Sequence, residues 1–161
     1  MIYRPYITED FAALYAIEEI CFEPPFRFGR PYMRSLVESE YSATWIAEEE
    51  GKMAGFAIVV WTKGIGGPVA YIQTIEVAPE QRRRGVAGEL LRRVEDSARS
   101  AGAVRIWLHV DEKNIRAVRL YEASDYHYEG REPDYYAPSR AGEIYSKHLG
   151  SAANELGTYK T

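Results

Sequence analysis

Between residues 71 and 110 the chain runs through a strand, a break, a long amphipathic helix and a second strand, and this run limits the fold more than any other segment. Residues 71–77 read as a strand ended by Pro79. Over 85–100, Val86, Leu90, Val94 and Ala98 fall on one helical stripe, widened by Ala87 and Leu91. Glu89/Arg93 and Glu95/Arg99 sit four apart, the spacing that supports an exposed helical face. Gly102 supplies a helix stop, and 104–110 reads as the next strand.

The remaining elements fit around that run. Residues 2–7 read as a first strand, and Thr8 before Glu9 and Asp10 offers a hydroxyl cap for a helix. Phe11, Leu14, Tyr15, Glu18 and Cys21 then follow helical spacing, with mainly the apolar members facing in. Glu23-Pro24-Pro25-Phe26 breaks that helix, and a second short one is expected over 31–39. Strands are expected over 44–48 and 53–61, turning at Glu50-Gly51, and 64–68 is a glycine-rich loop. A helix over 114–123, a strand over 126–129, a loop of about ten residues to Ala141 and a strand over 143–149 complete the chain. The order β-α-α-β-β-β-α-β-α-β-β predicts a mixed α/β (α+β) sheet with about seven strands and about four helices.

Length and charge narrow the classes. With 161 residues the chain suits one domain, expected over 1–149, with 150–161 as a flexible polar tail. A net charge of −4 argues against general nucleic-acid binding. A single cysteine, Cys21, forms no internal disulfide and reads as a small buried hydrophobe in a reducing compartment. No segment approaches the ~20 apolar residues of a membrane span, and Met1-Ile2-Tyr3-Arg4-Pro5 has no signal-peptide core. The expectation is a soluble, cytoplasmic protein without nucleic-acid or membrane partners, as a monomer or homodimer. His127 and His148 lack partners at metal-ligand spacing, so no metal is expected. Thirteen tyrosines are many for this length, and the late cluster either packs a core or lines a pocket.

Arg82-Arg83-Arg84-Gly85-Val86-Ala87-Gly88 follows a strand and opens a helix. The first four N–H groups of a helix have no internal partner, and no Ser, Thr, Asp or Asn stands here to cap them. Glycines allow close approach, and the helix dipole and three arginines add positive potential, a combination suited to a pyrophosphate. The spacing is neither a Walker loop nor a dinucleotide fingerprint. Three arginines at a helix start also occur as plain solvated surface.

The run Ile75-Glu76-Val77-Ala78-Pro79-Glu80-Gln81-Arg82-Arg83-Arg84-Gly85-Val86-Ala87 resembles the acetyl-CoA motif of GNAT acetyltransferases, Gln/Arg-x-x-Gly-x-Gly/Ala. Downstream, Asn114-Ile115-Arg116-Ala117-Val118-Arg119-Leu120-Tyr121 resembles that family's second signature, Asn-x-x-Ala-x-x-x-Tyr. Within the superfamily the chain looks most like RimI/Ard1-type N-terminal acetyltransferases, through Phe22-Glu23-Pro24-Pro25-Phe26, Leu108-His109-Val110 and Asp134-Tyr135-Tyr136. One departure is Asp125, where the family usually has glycine after the signature tyrosine; Asp tolerates left-handed backbone better than most residues.

The resemblance implies a GNAT fold with a central, mostly antiparallel mixed sheet, and acetyl-CoA as co-substrate. It implies that Ile75, Glu76 and Val77 hold the pantetheine arm through their backbone and that Arg82, Arg83, Arg84, Gly85, Val86, Ala87 and Gly88 wrap the pyrophosphate. Asn114, Ala117 and Tyr121 are expected against the cofactor. Phe22, Pro24, Pro25, Tyr71, Tyr135 and Tyr136 are expected to shape the entrance for a protein or peptide N-terminus.

Acetyl transfer needs a neutral amine and a proton for the departing thiolate. An α-amine, with a pKa near ~8 against ~10.4 for lysine, needs only a mild base. His109 fits that need, with Tyr71 beside it in the manner of some N-terminal acetyltransferases. Against this stand a satisfied strand histidine for His109 and core packing for Tyr71. Tyr121 is the expected acid for the thiolate. Glu76 is a competing base, but strand alternation places it opposite Tyr71 and Ile75 and favours a structural role. Acetylation of a small amine or a lysine, and acyl-CoA binding without turnover, are the alternatives.

Overall fold

The computed structural model describes residues 1–63 and 65–150. The expected tail beyond Gly150, and Gly64 of the expected loop, lie outside the described residues. The strands are β1 (Ile2–Pro5), β2 (Ser42–Glu49), β3 (Lys52–Thr62), β4 (Val69–Val77), β5 (Arg105–Asp111), β6 (His127–Ala137) and β7 (Arg140–His148). The helices are α1 (Phe11–Cys21), α2 (Arg30–Glu38), α3 (Val86–Ser100) and α4 (Ile115–Ala123). The seven strands form one sheet in the order β1-β2-β3-β4-β5-β7-β6. β4 and β5 pair in parallel, whereas β1/β2, β2/β3, β5/β7 and β6/β7 pair antiparallel. The mixed sheet and four helices agree with the sequence.

Two compact units make up the chain. One comprises Met1–Val60 and Ile72–Val94; the other comprises Trp61–Tyr71 and the described residues from Glu95. In the first unit, Phe11, Leu14, Tyr15 and Ile17 of α1 bury with Met33 and Leu36 of α2 and with Ile46, Phe56 and Ile58 of the sheet. Each such side chain contributes about 1.5–3 kcal/mol on leaving water. The hairpin turn falls where expected, with Glu50 and Gly51 both left-handed (φ 52° and 76°). Gly55 is needed for a different reason: a Cβ there would lie 2.5 Å from the Glu76 carbonyl oxygen.

The N-terminal cap differs from expectation. Thr8 starts a short 3-10 turn, Thr8–Asp10, and the Asp10 carboxylate accepts from the Ile7 N–H at 2.8 Å. Arg4 holds the same carboxylate through both terminal nitrogens at 2.8 Å. An ionised carboxylate makes a stronger cap than a hydroxyl, and the arginine keeps it in place.

In the second unit, β5 alternates cleanly: Ile106, Leu108 and Val110 are buried, while Trp107, His109 and Asp111 are only partly covered. The larger departure is β6. Residues 130–137, expected as a loop, continue the strand, with irregular register between Tyr128 and Gly130 and between Glu132 and Ala137. After α4, Asp125 is left-handed (φ 69°), so aspartate serves where glycine was expected.

Candidate active site

At the start of α3 the backbone is shaped for an anion. Pro79–Gln81 form a 3-10 turn, after which Arg83 (φ 65°) and Gly85 (φ 77°) are both left-handed. Such a backbone carries no steric penalty for Gly85 but costs about 1–2 kcal/mol at Arg83. Glu89 donates its N–H to the Gly85 carbonyl at 3.2 Å, leaving the earlier N–H groups of the turn without helical acceptors. A Cβ on Gly85 would meet nothing within 4 Å, so there is room beside this backbone. The donor set therefore fits a pyrophosphate.

The three arginines are not equivalent. Arg82 donates from Nε to the Val77 carbonyl at 3.1 Å and lies 3.7 Å from Cys21 Sγ. Arg84 pairs with Glu49 at 2.7 Å and with Gln81. Arg83 is exposed, and its side chain has no partner among the described residues. Two of the three cations thus brace the loop, and one is left over. Val86 is buried and Ala87 and Gly88 are half-buried at the helix start. On β4, Ile75 is half-buried while Glu76 and Val77 are buried.

Also in this unit, Pro24–Phe26 form a 3-10 turn between α1 and α2. Arg27 donates from Nε to the Phe22 carbonyl at 3.2 Å, and Glu18 accepts from the Phe28 N–H at 3.0 Å. Tyr15 donates to the Phe28 carbonyl at 2.7 Å. The loop is therefore tied at both ends while Phe22, Pro24 and Pro25 stay exposed.

The second unit brings His109, Tyr71 and Tyr135 together. Tyr71 pairs with Trp107 in the parallel β4/β5 ladder, and their rings meet edge-on with centroids 4.7 Å apart. His109 lies two residues further on the same face, and its Nδ1 is 2.8 Å from the Tyr71 hydroxyl. The Tyr135 ring stacks on the imidazole with centroids 3.9 Å apart and planes 7° from parallel. Tyr136 meets Tyr135 edge-on at 4.8 Å. Burial pushes the Tyr71 phenol well above its ordinary value, and its contact with the Tyr135 hydroxyl at 3.5 Å adds to that. Tyr71 therefore keeps its proton at neutral pH.

Glu132 is part of this cluster and was missed in the sequence. Its Oε2 lies 2.7 Å from His109 Nε2. The contact is made through β7: Ile144 pairs with His109 on one side and with Gly130 on the other, which puts Glu132 two residues along the same face. No local pattern in residues 130–137 announces it.

Gly142 explains how Tyr135 reaches the imidazole. A Cβ on Gly142 would lie 2.9 Å from the Tyr135 ring. Gly142→Ala is expected to lift that ring off His109 at a cost of about 1 kcal/mol. Loss of the ring-current shift on the His109 proton resonances would check it; an unchanged shift would refute it.

On α4, Asn114 caps the helix: its Oδ1 accepts from the Ala117 N–H at 3.2 Å. Tyr121 is buried, and burial raises its phenol well above the ordinary value. Its ring packs edge-on against Tyr126 at 5.5 Å. Among the described residues no group of three or more His, Cys, Asp or Glu could hold a metal ion, and no helix is long and apolar enough to cross a membrane.

Comparison with known proteins agrees with this fold. The described fold resembles Arabidopsis thaliana NAA60 solved with a bisubstrate analogue, with a TM-score of 0.79, 20% identity, and 91% of this chain and 97% of that one covered. The chain is 32% identical to the ribosomal protein bS18-alanine N-acetyltransferase of Escherichia coli over 90 residues, covering 55% of this chain and 57% of that protein. It is 33% identical to streptothricin acetyltransferase of Streptomyces lavendulae over 103 residues, 62% of this chain and 52% of that one. Against these two curated relatives the chain spans little more than half of their length. Residues 11–126, from the start of α1 to just past α4, match the Acetyltransferase (GNAT) family, and the chain belongs to that family.

Proposed function

We propose that the protein transfers the acetyl group of acetyl-CoA to the free α-amino group of a protein or peptide N-terminus, with residues 1–149 as one catalytic domain. The observation that carries this reading is the 2.8 Å hydrogen bond between the Tyr71 hydroxyl and His109 Nδ1. A phenol that keeps its proton is a poor base by itself, but it can pass a proton to the imidazole as it receives one. On this reading Tyr71 meets the amine, and His109 ends with the proton.

Acetyl-CoA supplies an activated acyl group. The N–H groups of 85–88, with Arg83, hold its pyrophosphate, and the backbone of Ile75, Glu76 and Val77 aligns the pantetheine arm. As the amine nitrogen bonds to the thioester carbon, its proton goes to Tyr71 and onward to His109. The carbon–sulfur bond then breaks, and Tyr121 protonates the sulfur. The products are an N-acetylated amine and free CoA. Asn114 and Ala117 frame the cofactor from α4. Tyr135 and Tyr136 flank the acceptor beside His109, and the Tyr135 ring stacked on the imidazole favours a backbone amine over a long side chain.

The 33% identity with streptothricin acetyltransferase favours a second reading, a small-molecule amine as acceptor. The test is CoA release with short peptides bearing free N-termini, the same peptides N-blocked but containing lysine, and a set of small polyamines. Turnover confined to free N-termini is the expected result. Turnover confined to lysine or small amines would replace the acceptor and keep the chemistry.

A further inference from the structure

We infer that Glu132 is a positioning residue that completes a Tyr71–His109–Glu132 proton relay, an inference that rests on the proposed Tyr71–His109 base. The imidazole is held from both ends, with Nδ1 2.8 Å from the Tyr71 hydroxyl and Nε2 2.7 Å from Glu132 Oε2. A carboxylate only accepts, so it fixes the neutral ring with its proton on Nε2. Nδ1 then carries the lone pair, and the Tyr71 O–H must donate to it. That leaves the Tyr71 oxygen free to accept from an incoming amine. Reversed, the tautomer would make His109 donate to Tyr71 and block proton flow.

The proton bookkeeping closes. The amine proton moves to Tyr71 Oη, the Tyr71 proton moves to His109 Nδ1, and the Nε2 proton stays on the bond to Glu132. The imidazolium so formed faces a carboxylate at 2.7 Å. The logic is that of the serine-protease triad, where a carboxylate sets the tautomer and stabilises the imidazolium. Here a phenol replaces the serine and the substrate amine does the attacking. The Glu132 side chain is 51% exposed while that of His109 is 9% exposed, so solvent screens the charge and tautomer control is the larger effect.

The other groups around His109 do not duplicate this role. From β4 comes Tyr71, and from β6 comes Tyr135, whose hydroxyl points to Tyr71 at 3.5 Å. On β5 itself, Asp111 lies two residues on and pairs with Arg140. β7 places Ile144 opposite His109, and its neighbour Glu143 accepts from the Tyr145 hydroxyl at 3.3 Å. Tyr136 reaches the imidazole only through Tyr135.

The test is nitrogen-15 NMR of the imidazoles in the wild type and in Glu132→Gln and Glu132→Asp, read beside kcat/KM against pH. The chain has three histidines, so assignment is direct. The wild type should show His109 with Nε2 protonated and Nδ1 bare. Glu132→Gln, whose amide can also donate, should mix the two tautomers, lower kcat by about 10- to 50-fold with KM for acetyl-CoA unchanged, and change the shape of the pH profile. Glu132→Asp should restore the wild-type tautomer in part. A wild-type His109 protonated on Nδ1, or a Gln variant with wild-type tautomer and pH profile, overturns the relay. The NMR readout needs no turnover, so a wrong acceptor would leave the relay standing, and a wrong relay would leave peptide acetylation standing.

Discussion

Replacing Tyr121 with Phe is expected to lower kcat by about 10²–10³-fold and to change acetyl-CoA affinity by less than about threefold. Tyr121 is buried on α4, and its carbonyl accepts from the N–H groups of Ser124 and Tyr126 at 3.1 and 3.0 Å. Its ring meets Tyr126 edge-on, and the Tyr126 hydroxyl is anchored by donating to Glu95 at 2.7 Å. Glu95 is in turn paired with Lys147 at 3.2 Å. Phe keeps the ring and its packing, so the variant folds and loses only the hydroxyl. A departing thiolate has a conjugate acid near pKa ~8.5, and a buried phenol pushed well above ~10 is fully protonated when the proton is needed. For the same reason Tyr121 contributes no alkaline limb to the rate profile below about pH 10. Steady-state kinetics with calorimetric acetyl-CoA binding decides the matter. Equal losses in turnover and binding would make Tyr121 a packing residue and remove the acid from the mechanism.

The parts of the fold that could be read in the sequence share a physical origin. α3 was legible because Val86, Leu90, Val94 and Ala98 all bury on one stripe, and β5 because its faces alternate. β6 was not, since it is a sheet edge with most residues exposed and two breaks in register, so no burial period marks it. Pro133 within it reads as a loop signal, yet an edge strand tolerates proline. Tyr71 and His109 were singled out from motif position, and the parallel register of β4 on β5 is what brings their side chains together. Glu132 reaches them only through the hairpin register of two other strands, which single-sequence patterns do not encode. Thr8 looked like the cap, but Asp10, backed by Arg4, takes that part because charge outweighs a hydroxyl. The polar member of the α1 stripe, Glu18, is likewise buried at 1% exposure rather than turned outward. Its partner is Glu76, and the pair has a thermodynamic consequence.

Glu76→Gln is expected to stabilise the protein increasingly as pH rises. Glu18 and Glu76 are 1% and 3% exposed, and their carboxyls lie close enough to influence each other. Glu76 Oε2 accepts from Thr74 at 2.7 Å, and Glu18 Oε2 accepts from the Phe28 N–H at 3.0 Å. The other oxygens, Glu18 Oε1 and Glu76 Oε1, have no donor among the described residues. One proton held between them satisfies both, whereas two buried carboxylates side by side repel. Burial, followed by the influence of the Glu18 carboxyl, therefore raises the Glu76 carboxyl well above its ordinary value. In the unfolded chain the same group ionises near pH ~4.3. The folded state thus binds the proton more tightly, and its stability is full below that pH and falls as pH rises through the folded value. A glutamine at 76 reproduces the protonated form: its oxygen accepts from Thr74 and its amide donates to Glu18 without titrating. Wild type and variant should melt alike near pH 4. By pH 8–9 the variant should be more stable by about 2 kcal/mol, or roughly 4–8 °C in Tm. A Tm difference that stays constant from pH 4 to 9 would mean that no proton is shared between these carboxyls and that the Phe28 N–H bond to Glu18 Oε2 holds the loop independently of Glu76.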